Sequence, residues 1–309
     1  MTTARKLIAL AGAGDLGKYA CEELLRDERF DLAVLSRKRD PWFLERNIDI
    51  HETDYSEKSV LQILNETNAT ALISFISVPH QLYLEIHVSL LGACRKSISC
   101  KRFIPSEFAG NIDNFPLLPK WYGASREPFR RILGASSGVE WTLVNFGWIM
   151  DYVLPKEKTY MTPIPDLFPI DPNGWKACIR GTGDEPQSFT CGRNIGEALV
   201  ELLAAPKWEI HTYITGDRKT FNEVAEIVEK HFGRQLPKTF KSSREIKDFL
   251  KEHLQETNSE TWLTEVEEWM IEGASSCPHG KVLDHMEKYF GRVNFLSIEA
   301  LLELAKAQV

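Results

Sequence analysis

Leu7-Ile8-Ala9-Leu10-Ala11-Gly12-Ala13-Gly14-Asp15-Leu16-Gly17 is the stretch that decides the fold. An apolar run breaks into a glycine turn, and a helix-like stretch from Lys18 to Leu25 follows at once. This is the order of elements a dinucleotide phosphate needs. Gly12 permits the tight turn, Gly14 lets the backbone approach a pyrophosphate, and Gly17 lets the helix pack close to the strand. The pyrophosphate then sits on the helix N-terminus, at Asp15 and Leu16, where N–H groups and the helix dipole favour an anion.

Moving outward, Phe30 to Leu35 reads as a second strand ending in Ser36-Arg37-Lys38-Arg39. A site for an unphosphorylated ribose usually carries an acid here to accept hydrogen bonds from the 2′-hydroxyl. Three successive cations stand there instead. Arg37 offers a planar fork to a 2′-phosphate and Lys38 adds a point charge, so NADP(H) is expected rather than NAD(H). Ile48 to His51 is a third short strand. Asp54 beyond it suits either an adenine edge or the cap of a helix starting near Ser56, and the sequence leaves both open.

Ala71 to Ile76 reads as the fourth strand, closed by Ser77-Val78-Pro79 and followed by an amphipathic stretch from Gln81 to Ala93. Arg102 to Pro105 enters a fifth strand and Trp141 to Phe146 makes a sixth, with a helical segment ending at Phe129-Arg130-Arg131-Ile132-Leu133 between them. Alternating strands and helices imply an α/β fold, a doubly wound parallel Rossmann sheet with ligands at the C-terminal strand ends. Phe75, Gln81 and Asn145, just beyond strands, join the glycine turn, Arg37 and Lys38 as candidate cofactor contacts. The expected division is a nucleotide-binding domain over 1–150 with a return segment near 190–215. A smaller, mainly helical substrate lobe takes 151–189 and 216–309.

The 309 residues are 43% hydrophobic and 26% charged, ordinary for a globular chain. A net charge of −7 argues against nucleic acid as a partner, and no apolar run approaches the roughly 20 residues of a membrane span. Met1 to Lys6 leads directly into the first strand, which predicts a cytoplasmic protein without a signal peptide. The six cysteines show no paired or metal-like spacing and the eight histidines no ligand motif, so reduced thiols and no metal are expected. The partner expected is a small molecule, bound by a monomer or homodimer.

The string Lys101-Arg102-Phe103-Ile104-Pro105-Ser106-Glu107-Phe108 resembles the KRFxPSEFG signature of isoflavone reductase-like and NmrA-like proteins, atypical short-chain dehydrogenase/reductases. Further likeness lies in the glycine turn, Gln81, Arg130-Arg131, Trp141 to Val144, Asp151-Tyr152 and Asn194-Ile195-Gly196-Glu197. It runs over about residues 5–235 and is specific in the first 150. The resemblance implies an NADP-binding Rossmann domain beside a small helical lobe, with hydride delivered from nicotinamide C4 to a small aromatic or alkaloid-like metabolite.

Three departures qualify it. Ala11 stands where the family often has a first glycine. The position of the family's lysine is Arg126, which cannot exchange a proton near neutral pH. Tyr122, four residues earlier, shares a helix face with it and makes Tyr-x-x-x-Arg where classical members of the superfamily have Tyr-x-x-x-Lys. Either Arg126 lowers the Tyr122 pKa by charge, or Tyr122 is packed and Arg126 pairs with Glu127 or Glu107 at the surface. Arg126, Tyr122, Glu107 and Asp151 are the catalytic candidates. Two other activities stay open beside a reductase: a redox-neutral cyclase on the same scaffold, and a non-catalytic sensor of NADP.

Prolines 155, 163, 165, 169, 172 and 186 suggest an irregular pocket wall with Trp148, Phe168 and Trp175 as its aromatic lining. Trp262, Val266, Trp269 and Met270 recur at helical spacing and read as core, with Glu265, Glu267, Glu268 and Glu272 on the other faces. Cys277-Pro278-His279-Gly280 reads as a turn rather than a nucleophile site.

Overall fold

The computed structural model describes residues 4–78 and 80–307; Met1 to Thr3 of the leader and Pro79 of the fourth-strand turn lie outside them. The chain divides into two compact units, Met1–Glu107 with Ala124–Val144 and Ile195–Thr212, and Phe108–Gly123 with Asn145–Asn194 and Tyr213–Val309.

The first unit is built on a six-stranded sheet of β1 (Lys6–Ala11), β2 (Phe30–Ser36), β3 (Asp49–Glu52), β4 (Ala71–Ser74), β5 (Arg102–Ile104) and β6 (Glu140–Trp141). The strand order is β3-β2-β1-β4-β5-β6 and every pairing is parallel. Parallel strands in this order need helical crossovers on both faces, which is why Ile8 to Ala11 and Leu32 to Leu35 are apolar on both sides and fully enclosed. The order reverses between β1 and β4, so the crevice for a ligand lies beyond the C-terminal ends of those strands.

The helices of this unit are α1 (Asp15–Arg26), α2 (Pro41–Leu44), α3 (Glu57–Glu66), α4 (His80–Lys96), α5 (Lys120–Ala135) and α6 (Gly192–Ala204). The last two begin in the second unit. Local chemistry sets their starts: Asp40 accepts from the Trp42 N–H at the head of α2, and Ser56 accepts from the Ser59 N–H at the head of α3. Asp54 accepts from the Ser56 N–H at 2.9 Å, ordering that same start.

The single sixth strand expected over 141–146 is split. Glu140 and Trp141 pair with β5, while β7 (Leu143–Asn145) pairs with a later strand (His211–Tyr213). The hinge is Thr142, whose hydroxyl bonds to that of Thr212 at 2.8 Å and turns the chain away from the main sheet. Residues 108–123, which the sequence placed in the first domain, belong to the second unit for a similar reason. The Asn111 N–H donates to the Ala274 carbonyl at 2.7 Å. A Cβ on Gly110 would fall 2.3 Å from that same oxygen.

The core of the second unit is aromatic. Trp148 meets Phe168, Phe221 and Trp269 edge-on at centroid distances of 5.4, 6.2 and 5.4 Å. Trp148 is therefore core rather than pocket wall. Trp175 also leaves the lining: its Nε1–H donates to the Gln235 carbonyl at 2.9 Å and its ring carries the Arg234 guanidinium.

Val266, Trp269 and Met270 of the predicted stripe are buried as the spacing predicts, whereas Trp262 is only half-buried, its ring tilted against Trp121 at 6.3 Å. Two of the glutamates expected on exposed faces are buried as well. Glu265 accepts from the Trp121 N–H at 2.7 Å. Glu267 sits between Arg180 at 3.0 Å and Lys241 at 2.5 Å. Buried charges of this kind are tolerated because each is paired, and removing one partner strands the other. Glu267→Gln, which removes the carboxylate charge facing the buried Arg180, should destabilise the chain by about 3 kcal/mol, measured as a lower urea midpoint at unchanged slope.

Candidate functional site

The glycine turn closes β1 with the geometry its residues dictate. Gly12 has φ +71°, and a Cβ there would lie 2.5 Å from Ile76 Cγ1, so no other residue fits without displacing the chain that follows β4. The Gly12 N–H donates to the Leu35 carbonyl at 3.0 Å and the Gly14 N–H to the Gly12 carbonyl at 2.7 Å. Gly14 occupies the N-cap of α1 with no side chain to cover the first turn, where Asp15, Leu16 and Gly17 stand. A Cβ on Gly17 would meet Ala13 Cβ at 2.9 Å and the Phe75 ring at 3.3 Å, so Phe75 packs directly over the start of the helix.

At the end of β2, Arg37 and Lys38 are exposed and make no ion pair among the described residues, whereas Arg39 is taken by Glu52 at 2.8 Å. Two uncommitted cations at the crevice edge suit a 2′-phosphate. Tyr55, which sequence reasoning passed over in favour of Asp54, lies beneath this edge. It is buried with φ +63° and its hydroxyl donates to the Leu35 carbonyl at 3.1 Å. Burial pushes its phenol pKa up, against the pull of Arg37 and of the Gly12 amide. Gln81, in the first turn of α4, is exposed and its amide donates to Glu85 at 3.1 Å.

Beyond β4 and β5 lies a buried polar cluster. The Arg126 guanidinium is 3% exposed and stacks 3.8 Å from the centre of the Tyr83 ring, with Nη1 donating to Ser125 Oγ at 2.7 Å. Arg126 is buried rather than at the surface, and the two acids considered for it are engaged elsewhere, Glu127 by Arg131 and Glu107 by Arg130. Glu107 is 1% exposed, and both of its oxygens take bonds from Arg130, Nε at 3.2 Å. That bidentate pair ties the signature segment to α5.

His87 stacks on Tyr83 at 3.8 Å between centroids. Its Nδ1 lies 2.9 Å from the Tyr83 carbonyl, which can only accept, so Nδ1 carries the proton and Nε2 is the acceptor. Nε2 then receives the Ser74 hydroxyl at 3.0 Å and the Ser106 N–H at 3.4 Å. Neither His87 nor Tyr83 carries a sequence signal; an apolar helix face at i, i+4 hides them.

The remaining candidates belong to the second unit. Tyr122 is half-buried, with its ring edge-on to Trp121, and it precedes Arg126 by one turn of α5. The helix forms despite Gly123 and Pro128: a Cβ on Gly123 would sit 2.6 Å from the Leu117 carbonyl, and glycine alone gives α5 that close approach. Asn145 is wholly buried and accepts from the Ala109 N–H at 3.3 Å, a staple on the signature loop rather than an open contact surface. Asp151 is buried and accepts from the Gly192 N–H at 2.6 Å, which starts α6. A solvent-open recess of about 290 Å³ runs beside it, walled by Tyr152, Met161, Ile164, Phe168 and prolines 163, 165 and 172. Cys277 is buried and its thiol pKa is pushed up to about 12 by burial, away from nucleophilic use. Among the described residues no group of histidine, cysteine, aspartate or glutamate is placed to hold a metal, and no helix is long and apolar enough to cross a membrane.

The His87 geometry carries a pH consequence. Burial, reinforced by the Arg126 charge, lowers its pKa to about 3, against roughly 6.5 in an unfolded chain. The unfolded state therefore binds a proton that the folded state refuses, and stability falls as pH drops from about 6.5 towards 3. About 2 kcal/mol should be lost from this group between pH 7.5 and pH 5. Chemical denaturation at the two pH values checks it, and His87→Gln should remove that share of the loss.

No family model matches the chain. Oxidoreductase swnR from Metarhizium robertsii is 34% identical over 293 residues, covering 94% of this chain and 94% of the relative. An isoflavone reductase-like protein from Olea europaea is 25% identical over 261 residues, 80% of each chain. The fold matches a ternary complex structure of leucoanthocyanidin reductase from Vitis vinifera with a TM-score of 0.73 at 18% identity, over 97% of this chain and 99% of that one. With a relative this similar along nearly its whole length, and with the KRFIPSEF segment standing at the ligand edge of the sheet, the chain belongs to the isoflavone reductase-like, NmrA-type family of oxidoreductases.

Proposed function

We propose that the protein is an NADPH-dependent reductase of a small aromatic or alkaloid-like secondary metabolite. The observation that carries this reading is the pairing of a glycine cradle, closed to any Cβ at Gly12, with the uncommitted cations Arg37 and Lys38 at the end of β2. A dinucleotide with a 2′-phosphate fits that combination and an unphosphorylated one does not use it. The solved structures of similar fold include a binary complex of leucoanthocyanidin reductase with NADPH, and one of AtPrR2 with NADP+ and pinoresinol. Both hold the phosphorylated dinucleotide, and the second holds a small molecule beside it.

When bound, NADPH supplies the hydride, from nicotinamide C4. The chain's own groups do the rest. Gly12 to Gly17 would hold the pyrophosphate at the N-terminus of α1, with the Phe75 ring packed beside Gly17. The contribution of Arg126 is electrostatic: its guanidinium would hold an anionic oxygen or one gaining charge. A proton for the product comes from the Tyr122 phenol or from water. Glu107 and Asp151 are engaged by Arg130 and by the start of α6, and serve as framework.

The test is incubation with NADPH and a panel of aromatic ketones, enones and imines, following nicotinamide absorbance and product mass together. Substrate-dependent loss of NADPH with a gain of two hydrogens is the expected result. Product of unchanged mass with NADPH intact would replace the reductase by a redox-neutral cyclase. Arg37→Ala should weaken NADPH about 10- to 100-fold, the worth of charge-assisted bonds to one phosphate, while leaving NADH nearly unaffected; titration of both by fluorescence decides it. Arg126→Lys should retain turnover, and Arg126→Ala should abolish it while still binding NADPH. Equal turnover in Arg126→Ala and the parent would remove Arg126 from the reaction.

A further inference from the structure

The C-terminal ends of β4 and β5 are neighbours in register, Ile73 opposite Ile104, so Ser74 and Pro105-Ser106 leave the sheet side by side. Both ends are loops at the ligand edge of a parallel sheet, where main-chain hydrogen bonds no longer hold them together. One side chain spans them. His87 Nε2 takes the Ser74 hydroxyl at 3.0 Å and the Ser106 N–H at 3.4 Å, while Nδ1–H is anchored on the Tyr83 carbonyl of its own helix. The Tyr83 hydroxyl donates to the Ser106 carbonyl at 3.2 Å, so both main-chain groups of Ser106 are held from α4.

The effect reaches the glycine turn. Ser74 Oγ also accepts from the Ile76 N–H at 3.3 Å, and Ile76 is the residue whose side chain closes on Gly12. On the other side, Arg126 lies over the Tyr83 ring that His87 also stacks on. Two planar groups at 3.8 Å cannot share one ring face, so Tyr83 is sandwiched between them. The chain of contact therefore runs from Arg126 through Tyr83 and His87 to Ser74, Ile76 and Gly12. It links the catalytic candidate to the cofactor cradle entirely within the first unit.

We infer that His87 is a positioning residue of the reduction site: by bridging Ser74 and Ser106 it sets the spacing of the β4 and β5 ends against which a nicotinamide must lie. The inference rests on the reductase reading for its catalytic consequence, but its structural core stands on the hydrogen bonds alone. An imidazole with Nδ1 protonated is the right group, because it donates backwards and accepts forwards at once. A glutamine can place its carbonyl oxygen near the Nε2 position and accept the same two bonds; a phenylalanine fills the space and accepts none.

The experiment compares the whole protein with His87→Phe and His87→Gln in two measurements. Amide hydrogen exchange without cofactor should show faster exchange in 74–78 and 104–108 for His87→Phe and near-parent exchange for His87→Gln. Steady-state kinetics should show kcat reduced about 10- to 100-fold in His87→Phe, the scale of a misplacement near 1 Å. KM for NADPH should stay within about threefold, because the adenosine end is held elsewhere, and His87→Gln should recover most of kcat. Unchanged exchange in His87→Phe, or equal impairment of the two variants, overturns the inference. If His87→Phe does not fold, Ser74→Ala removes one arm of the bridge, together with the bond from the Ile76 N–H; it should lower kcat and speed exchange in 74–78, and unchanged exchange there overturns the inference. Failure of the parent protein to bind NADPH overturns the reductase reading instead, and the exchange measurement still decides whether His87 holds the two strand ends.

Discussion

Gly12 lies so close to the chain after β4 that a Cβ would fall 2.5 Å from Ile76, and its φ of +71° is one that side chains oppose. Much of the first unit follows from that contact. It brings the ends of β1 and β4 together at the point where strand order reverses, and it turns the backbone so that α1 begins under the crevice. Phe75 can then lie on Gly17, which lacks a Cβ for the same reason of space. Two glycines fix two close approaches, and the sheet, the helix and the ligand edge are registered by them.

The second constraint is that polar groups buried near this edge must be answered one by one. Glu107 is answered by Arg130, Ser106 by Tyr83 and His87, and Ser74 by His87. The signature segment is held as framework: its acid binds α5 through Arg130, and its serine is gripped through the main chain. Asn145 and Asp151 follow the same rule in the second unit, one holding the Ala109 N–H and the other starting α6. Conspicuous polar residues just past strands are thus as often the means by which loops are held as the means by which ligands are.

In the second unit the burden shifts to aromatic packing and paired charge. Trp148 packs edge-on with Phe221 and Trp269 where the proline-rich sequence suggests a lined pocket, and the recess that does exist is walled by prolines and by Tyr152, Met161 and Phe168. Glu267 shows how far a charge can be drawn inward when Arg180 and Lys241 meet it there. A helical wheel of the helix Ser259–Ile271 places that glutamate off the apolar stripe because the wheel knows nothing of strands brought in from 26 and 87 residues away.

What the sequence by itself determined is whatever rests on local backbone chemistry and periodicity: the glycine turn, the parallel Rossmann order, the cations after β2, the apolar stripe of the helix Ser259–Ile271, and the KRFIPSEF likeness that names the family. Each is a short-range pattern, readable because it must be satisfied within a few residues. The tertiary structure alone decided which carboxylate meets which cation, that Arg126 is enclosed on Tyr83, that Tyr55 lies under the crevice, that the sixth strand divides at Thr142, and that His87 joins two strand ends. Those outcomes depend on groups far apart in the chain and on the absence of water between them. Burial raises the cost of every unanswered polar atom, and only the folded chain shows which partners were available to answer it.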